Sequence, residues 1–524
     1  MASLLSSFDS QRRKAWLYVA GLTALTIVSR LPRLFSPNLL LDGDESLVGL
    51  MAKHVAGGEG LPIFVYGQQY GLATIETAVG ALWFQLFGVS PIPLKLAILL
   101  LWHIGVVFLF LALSRGVGAK RAFWIVAVFL LTPAWASAAM KAWGGYTTAF
   151  TASAVLVWLL ARGDRGMTGP QWLIAGVLTA VTYLARPLWL PVVLPFVLAA
   201  FAARVRWRWG AGYVAATLGV LVAVKFATAD TAVVWEAPPF WNPALLKSLP
   251  GVARQIYINL TGAYFLGAAR DVPGPVTELL ARVWYVALPS LALIQIYRLA
   301  TKRYYLLSHL LFLSVCATLV VPWVMLFARD PRYLLPLCAP LVVLAGVELL
   351  DLVDRRVVSS RVLGGLTAAV LLLGSISMFE FRSFDHLWAN PPHAMSEAER
   401  MRQIVDYLKT RNVSHVYSMN GLLNFQVMFY SNERVLSRSK GWRVRYPPYA
   451  RKVDRALATD RPVAVVGYTD HSGAPGCWDV PICTGGIAGR VPDPETIFTV
   501  DDKYFVYVGA DKELLRQLGF RIAD

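Results

Sequence analysis

Three acids stand within four residues of one another, Asp42, Asp44 and Glu45, in the segment LLLDGDESLVGL. They follow an apolar run that opens at Trp16, and Arg30 and Arg33 lie just before them. Carboxylates this close to a bilayer are costly unless they are paired, hydrated or functional. A carboxylate at a membrane interface can deprotonate a hydroxyl while the second reactant stays anchored in lipid. The plainer reading is a solvated loop in which Asp44 or Ser46 caps a helix over residues 47–55.

A second set is basic. Lys141, Arg186, Arg329 and Arg332 fall in turns that are aromatic, Gly- or Pro-rich and otherwise poor in charge. Guanidinium forks match phosphate oxygens bidentately, so a shared anionic ligand would account for all four. Each taken singly is as well explained by a local acid, as Asp330 beside Arg329 and Arg332, or by snorkelling to the head groups. The rest of the acidic loop supplies His54, Tyr66, Gln68, Gln69, Tyr70 and Glu76. Tyr66, Gln68, Gln69 and Tyr70 are groups able to hold a donor phosphate or sugar, and His54 and Glu76, with Asp42, are groups able to support the site. His54 lies close enough to Asp44 in sequence to leave a divalent metal open, although a lone histidine is more often a hydrogen-bonded structural group. No cofactor is demanded.

The elements that must position these groups are membrane spans. Of 524 residues, 56% are hydrophobic and only 15% charged, where ordinary soluble chains carry about 25% charged residues. Mean hydropathy is +0.53. Apolar runs over 16–28, 94–113, 341–350 with its flank, and 362–378 are typical of the first 380 or so positions. The net charge of +17 is dispersed between such runs. It therefore reads as topology and anionic lipid contact rather than nucleic-acid binding.

Basic clusters at 12–14, 115–121, 162–165, 204–208, 298–303 and 355–361 read as cytoplasmic. The turns at 143–146, 186–190, 230–275 and 329–332 then read as external. The first external loop covers about 36–72 and a long one about 228–278, the latter carrying Trp235, Phe240, Trp241, Tyr257 and Tyr264 as an interfacial belt. Two apolar runs, 74–87 and 94–113, separate the first external loop from the cluster at Arg115. Parity then requires one of them to be re-entrant or juxtamembrane, or the cluster to mislead, and about 11 to 13 spans are expected.

Beyond Met378 the pattern changes. A domain over 1–382 gives way to a small α/β domain over 383–524, placed outside by parity. Ser396 and Glu399 form a capping pattern before a stripe of Met401, Ile404, Val405 and Leu408. Strands are expected over 413–417, 434–436, 463–466 and 504–508, and helices over 452–457 and 512–518. Cys477 and Cys483 in GCWDVPIC are spaced to close a small disulfide if this domain is extracytoplasmic, while Cys316 and Cys338 lie in apolar runs as small hydrophobes. The basic N-terminus mimics a secretory signal, but its apolar run ends in SRLPRLF without a small-residue cleavage site, and reads as an uncleaved first span. GVGAK lacks P-loop spacing, so nucleotide-driven action has no support.

At these residues the chain resembles the GT-C membrane glycosyltransferases, and within them the protein O-mannosyltransferase superfamily, which includes the aminoarabinose transferases of lipid A. Asp44–Glu45 after the first span, YGQQYG and RYLLPLCAPLVVLAG carry the resemblance, with KAWGGY around Lys141 and LARPLWLP around Arg186 also similar. It implies a polytopic α-helical GT-C fold with a small C-terminal extracytoplasmic α/β domain. It implies a sugar donor on polyprenyl (undecaprenyl) phosphate and a lipid, glycan or protein acceptor at the outer face of a bacterial inner membrane. Asp44 would be the base with Glu45 its neighbour, and Arg332, with Arg186, would face the lipid phosphate. The chain departs from the aminoarabinose transferases in lacking a Lys-Pro-Pro segment at the end of the first loop, where residues 71–74 stand instead. Inverting transfer is the expected chemistry. A transporter or flippase of lipid-linked or anionic substrates, using Asp44 for proton coupling, is the alternative.

Overall fold

The computed structural model describes residues 2–36, 39, 41–161, 167–203, 207–229, 249–262, 273–301, 305–324, 331–382, 395–440, 444–459, 461–469, 487, 491, 494–501 and 503–522. Arg329, Trp235, Phe240, Trp241, Tyr264, Cys477 and Cys483 lie outside these, and with them the expected disulfide and most of the long loop.

Fourteen helices precede the C-terminal domain among the described residues. They are α1 (Ala2–Leu34), α2 (Gly43–Ala56), α3 (Thr74–Phe87), α4 (Pro91–Val117), α5 (Ala119–Leu130), α6 (Tyr146–Leu160) and α7 (Gly169–Ala185). Then come α8 (Leu190–Ala202), α9 (Trp207–Ala227), α10 (Leu249–Thr261), α11 (Pro275–Ala300), α12 (Leu306–Val324), α13 (Cys338–Asp354) and α14 (Ser360–Glu380). Among the described residues six stretches are long and apolar enough to cross a membrane, or seven if the bent pair Ala119–Leu130 and Pro133–Met140 makes one span. Three shorter apolar helices lie beside them. Length and composition thus yield fewer crossings than the 11 to 13 expected, because several apolar runs are broken by 3-10 turns or are helices too short to qualify. α3 is one of these. Its 14 residues reach roughly 21 Å against a hydrocarbon core of about 30 Å.

Pro and Gly set the breaks. Pro91 opens α4 after an extended Ser90, and Gly118, at φ +84°, closes it and starts α5. The 3-10 turn Pro187–Trp189 separates α7 from α8 just after Arg186, and the turn Pro331–Leu337 carries Arg332 into α13. The core of the membrane part is aromatic, with Trp102, Phe129, Trp135, Phe150 and Trp189 buried together. Bilayer-facing positions stay apolar, as with Leu218 and Val222 on α9.

In the C-terminal domain, α15 (Glu397–Thr410), β1 (His415–Ser418), α16 (Gly421–Tyr430), β2 (Leu436–Ser439), α17 (Pro447–Ala458), β3 (Val463–Tyr468), β4 (Phe498–Val500), β5 (Tyr504–Val508) and α18 (Lys512–Gln517) follow in order. The sheet runs β2-β1-β3-β5-β4, with β2, β1 and β3 parallel and β5 and β4 antiparallel. Ser396 caps α15, its side chain accepting from the Glu399 amide. The domain does not stand apart. Phe425, Met428, Phe429 and Tyr449 share one buried cluster with Leu41, Leu47, Val48, Leu50 and Met51 of the first loop.

Candidate functional site

Asp42, rather than Asp44 or Ser46, caps α2. Its Oδ1 accepts from the Glu45 amide at 2.9 Å and the Glu45 carboxylate accepts from the Asp42 amide at 3.1 Å, a reciprocal capping box. The two acids are three residues apart and face the same way, into the protein, where both are fully buried. Lys141 donates to Asp42 Oδ2 at 2.7 Å and lies 3.5 Å from Glu45 Oε2, and Lys95 donates to Glu45 Oε1. Trp143 adds an indole N–H to Asp42 Oδ2 at 2.8 Å. Burial alone would raise the Asp42 pKa, but the charge of Lys141 and the bonds from Lys141, the Glu45 amide and Trp143 outweigh it and hold the group below its ordinary value. Two acids and two lysines neutralise one another out of reach of solvent. The arrangement locks α2 to α4 and to the segment before α6.

Asp44 points the other way. Its side chain keeps 25% of its surface exposed, and its two oxygens meet two arginines. Arg445 Nη1 donates to Oδ1 at 3.1 Å, and Arg332 Nη1 donates to Oδ2 at 3.5 Å. Tyr70 stands in the same cluster. Its burial raises the phenol pKa, countered by the charges of Arg186 and Arg445 and reinforced by Tyr333 and Asp44. The Arg186 guanidinium lies over the rings of Tyr146 (4.4 Å) and Tyr70 (5.6 Å) and donates to the Trp143 carbonyl at 2.6 Å. Asp44, Tyr70, Arg186 and Arg332, expected from sequence, therefore converge. Arg445 joins them from the C-terminal domain.

The support is built from close backbone approaches. Gly144 and Gly145 both have positive φ, and side chains there would run into Val65 and the Ala185 carbonyl. Glu76 accepts from the Gly145 amide at 2.9 Å and from the Thr148 amide at 3.4 Å, holding the start of α6. Burial pushes its pKa up to about 7 even though these amides and Arg186 pull it down. Buried Asn259 on α10 donates to the Pro331 carbonyl at 2.8 Å, which fixes the turn bearing Arg332.

His54 lies away from Asp44's cluster, at the junction with the C-terminal domain. It meets Tyr66 Oη at 3.0 Å, Tyr449 Oη at 2.9 Å and Glu433 at 3.2 Å. Tyr66 stacks on Tyr446 there at 4.5 Å. Gln68 is buried beside this segment, its amide in a turn with Val65, and Gln69 is half-buried. Among the described residues no group of three His, Cys, Asp or Glu side chains is arranged to hold a metal ion.

Within the membrane part an apolar cavity of about 960 Å³ lies between α4, α6, α8, α12 and α13. Trp189 and Phe150 line it, the first of them three residues beyond Arg186. The Arg115 side chain also lines it.

Helices and site together define a polytopic membrane protein with the GT-C fold and a small C-terminal α/β domain. ArnT from Cupriavidus metallidurans in the apo state is similar over 95% of this chain and 98% of its own, with TM-score 0.56 and 15% identity. The same protein bound to undecaprenyl phosphate is similar over 94% and 97%, with TM-score 0.54 and 13% identity. The apo oligosaccharyltransferase of Archaeoglobus fulgidus is similar over 87% of this chain and 69% of its own, with TM-score 0.52 and 11% identity. No protein-family model and no curated protein matches the sequence. The likeness is one of fold.

Proposed function

We propose that the protein is an inverting glycosyltransferase that takes a hexosyl or pentosyl group from a polyprenyl (undecaprenyl) phosphate carrier. It passes the sugar to a hydroxyl of a lipid, glycan or protein at the periplasmic face of a bacterial inner membrane. The observation that carries this reading is the pairing of solvent-reached Asp44 with Arg332 of the membrane part and Arg445 of the C-terminal domain. The apolar cavity offers room for a lipid chain, and a protein of the same fold, ArnT, has been seen bound to undecaprenyl phosphate.

Asp44 removes the proton from the acceptor hydroxyl. The oxygen attacks the sugar's C1 from the face opposite the phosphate, the C1–O bond breaks, and its electron pair leaves on polyprenyl phosphate. Arg332, with Arg186, neutralises the charge that develops on that leaving group. Donor phosphate competes for the arginine that holds Asp44, so donor binding frees the base for the acceptor. Asp42, Glu45, Lys95 and Lys141 keep α2 and its first turn rigid beneath it. Tyr70, with Gln68 and Gln69 from the same loop, supplies hydroxyl and amide groups for the sugar, and residues 383–524 lie on the periplasmic side with the site.

The test uses detergent-purified protein and a polyprenyl-phosphate sugar. Release of free polyprenyl phosphate without a sealed bilayer or membrane potential is the expected result, with slow donor hydrolysis by water as an acceptor-free readout. Movement of an intact substrate across proteoliposomes, lost in Asp44→Asn and never accompanied by donor cleavage, would replace this reading with transport.

A further inference from the structure

We infer that Arg445, supplied by the C-terminal domain, binds the donor phosphate together with Arg332, so that the site is complete only with that domain docked. This rests on the glycosyltransferase reading above and adds a residue to it.

Asp44 and Arg445 are 401 positions apart, yet the meeting is built into the fold. Gly67, in the loop before α3, has φ +71°, and a Cβ there would lie 2.8 Å from the Arg445 Cα. At Gly43 an added Cβ would sit 2.5 Å from the Leu422 backbone at the start of α16. Two hydrogen bonds then clamp Leu41. Its amide donates to Tyr430 Oη at 3.1 Å and its carbonyl accepts from Gln426 at 3.0 Å. The backbone of Arg445 is therefore placed by the docked interface.

Topology says which edge of the domain is presented. The chain leaves β1 for β2 on one side through α16, and returns past β1 to β3 on the other side through α17. Ligands of such sheets bind beyond the carboxyl ends of the strands, near the point where strand order reverses. Arg445 lies in the connection after β2, and α16 begins directly after β1. Both face α2, so the carboxyl edge is the one set over Asp44.

Chemistry names the ligand. Arg332 and Arg445 each take a different oxygen of one carboxylate, as two guanidinium groups would take two oxygens of a phosphate. Both side chains keep access to solvent, whereas Lys95 and Lys141 are spent on buried acids.

Full-length purified variants would be titrated with undecaprenyl phosphate and, as the uncharged control, undecaprenol. Arg445→Ala should weaken undecaprenyl phosphate binding about 10- to 100-fold and leave undecaprenol unchanged, with Arg445→Lys between. Lys512→Ala, which removes an exposed positive charge from α18 that takes no part in the docked interface, should leave both affinities as in wild type. Unaltered undecaprenyl phosphate binding in Arg445→Ala, or an equal loss for both lipids, would overturn the assignment while the glycosyltransferase reading stood. Wild type that fails to prefer undecaprenyl phosphate over undecaprenol would overturn both.

Discussion

Two charged clusters grow from one four-residue stretch and end in opposite environments. Asp42 and Glu45 are sealed with Lys95 and Lys141, charge against charge, without solvent. Asp44, between them in sequence, meets Arg332 and Arg445 at a surface that water reaches. The cause is the capping box. Asp42 at the N-cap and Glu45 at the third helical position bond each other's amides on one side of the first turn, and Asp44, about 100° before Glu45 around the helix, is turned away. A buried ion pair gives specificity of position more than net stability, since desolvation offsets its Coulomb gain. A pair that water reaches is weaker and exchangeable, as the base role proposed for Asp44 requires. The inner cluster acts as a lock, and the outer one is open to exchange.

The sharpest way to break this comparison is to remove charge from each cluster. Asp44→Asn should lower turnover by about 100- to 10,000-fold with expression and thermal stability intact. Near-normal transfer by that variant with purified donor would take Asp44 out of the chemistry. Lys141→Ala should act on folding instead. It strands Asp42 in the interior and should cost about 3–5 kcal/mol, read as loss of folded protein in a thermal or proteolytic assay. If Lys141→Ala stays as stable as wild type, the inner cluster is not the lock described.

Smaller effects sharpen the outer cluster. Arg332→Ala should raise donor KM about 10-fold or more and leave acceptor KM nearly unchanged, with Arg332→Lys a partial rescue. The least effect concerns the junction that delivers Arg445. Burial favours the neutral form of Glu433, but His54, Lys53 and Tyr449 outweigh it and hold its pKa at about 2. A depressed carboxylate contributes stability that is present above its ordinary pKa near 4.5 and is lost as pH falls towards about 2. Glu433→Gln should therefore flatten the acid limb of a stability–pH curve by about 1 kcal/mol, allowing for its partial exposure. A limb as steep as wild type's would move that dependence to other groups.

Much of the C-terminal domain was legible. The runs at 413–417, 463–466 and 504–508 became β1, β3 and β5 within a residue or two, because β-branched and aromatic residues crowd them. α16 escaped notice, since GLLNFQVMFY is buried almost all round and shows no polar face to mark a period. β4 is three residues long and offers no pattern. Arg445 had no local signal beyond its place before a Pro-Pro helix start, one basic residue among several.

By itself the sequence determined the solvent of this protein and, Arg445 and Lys95 apart, the inventory of its candidate site. Hydropathy depends only on which residues are adjacent, so the membrane class, the spans at 94–113 and 362–378, and the acids and arginines at their edges could be read directly. Which acid is sealed and which is exposed was decided by tertiary structure alone. That outcome depends on partners 50, 99, 288 and 401 positions away, namely Lys95, Lys141, Arg332 and Arg445, and pairing over such separations leaves no trace in local pattern.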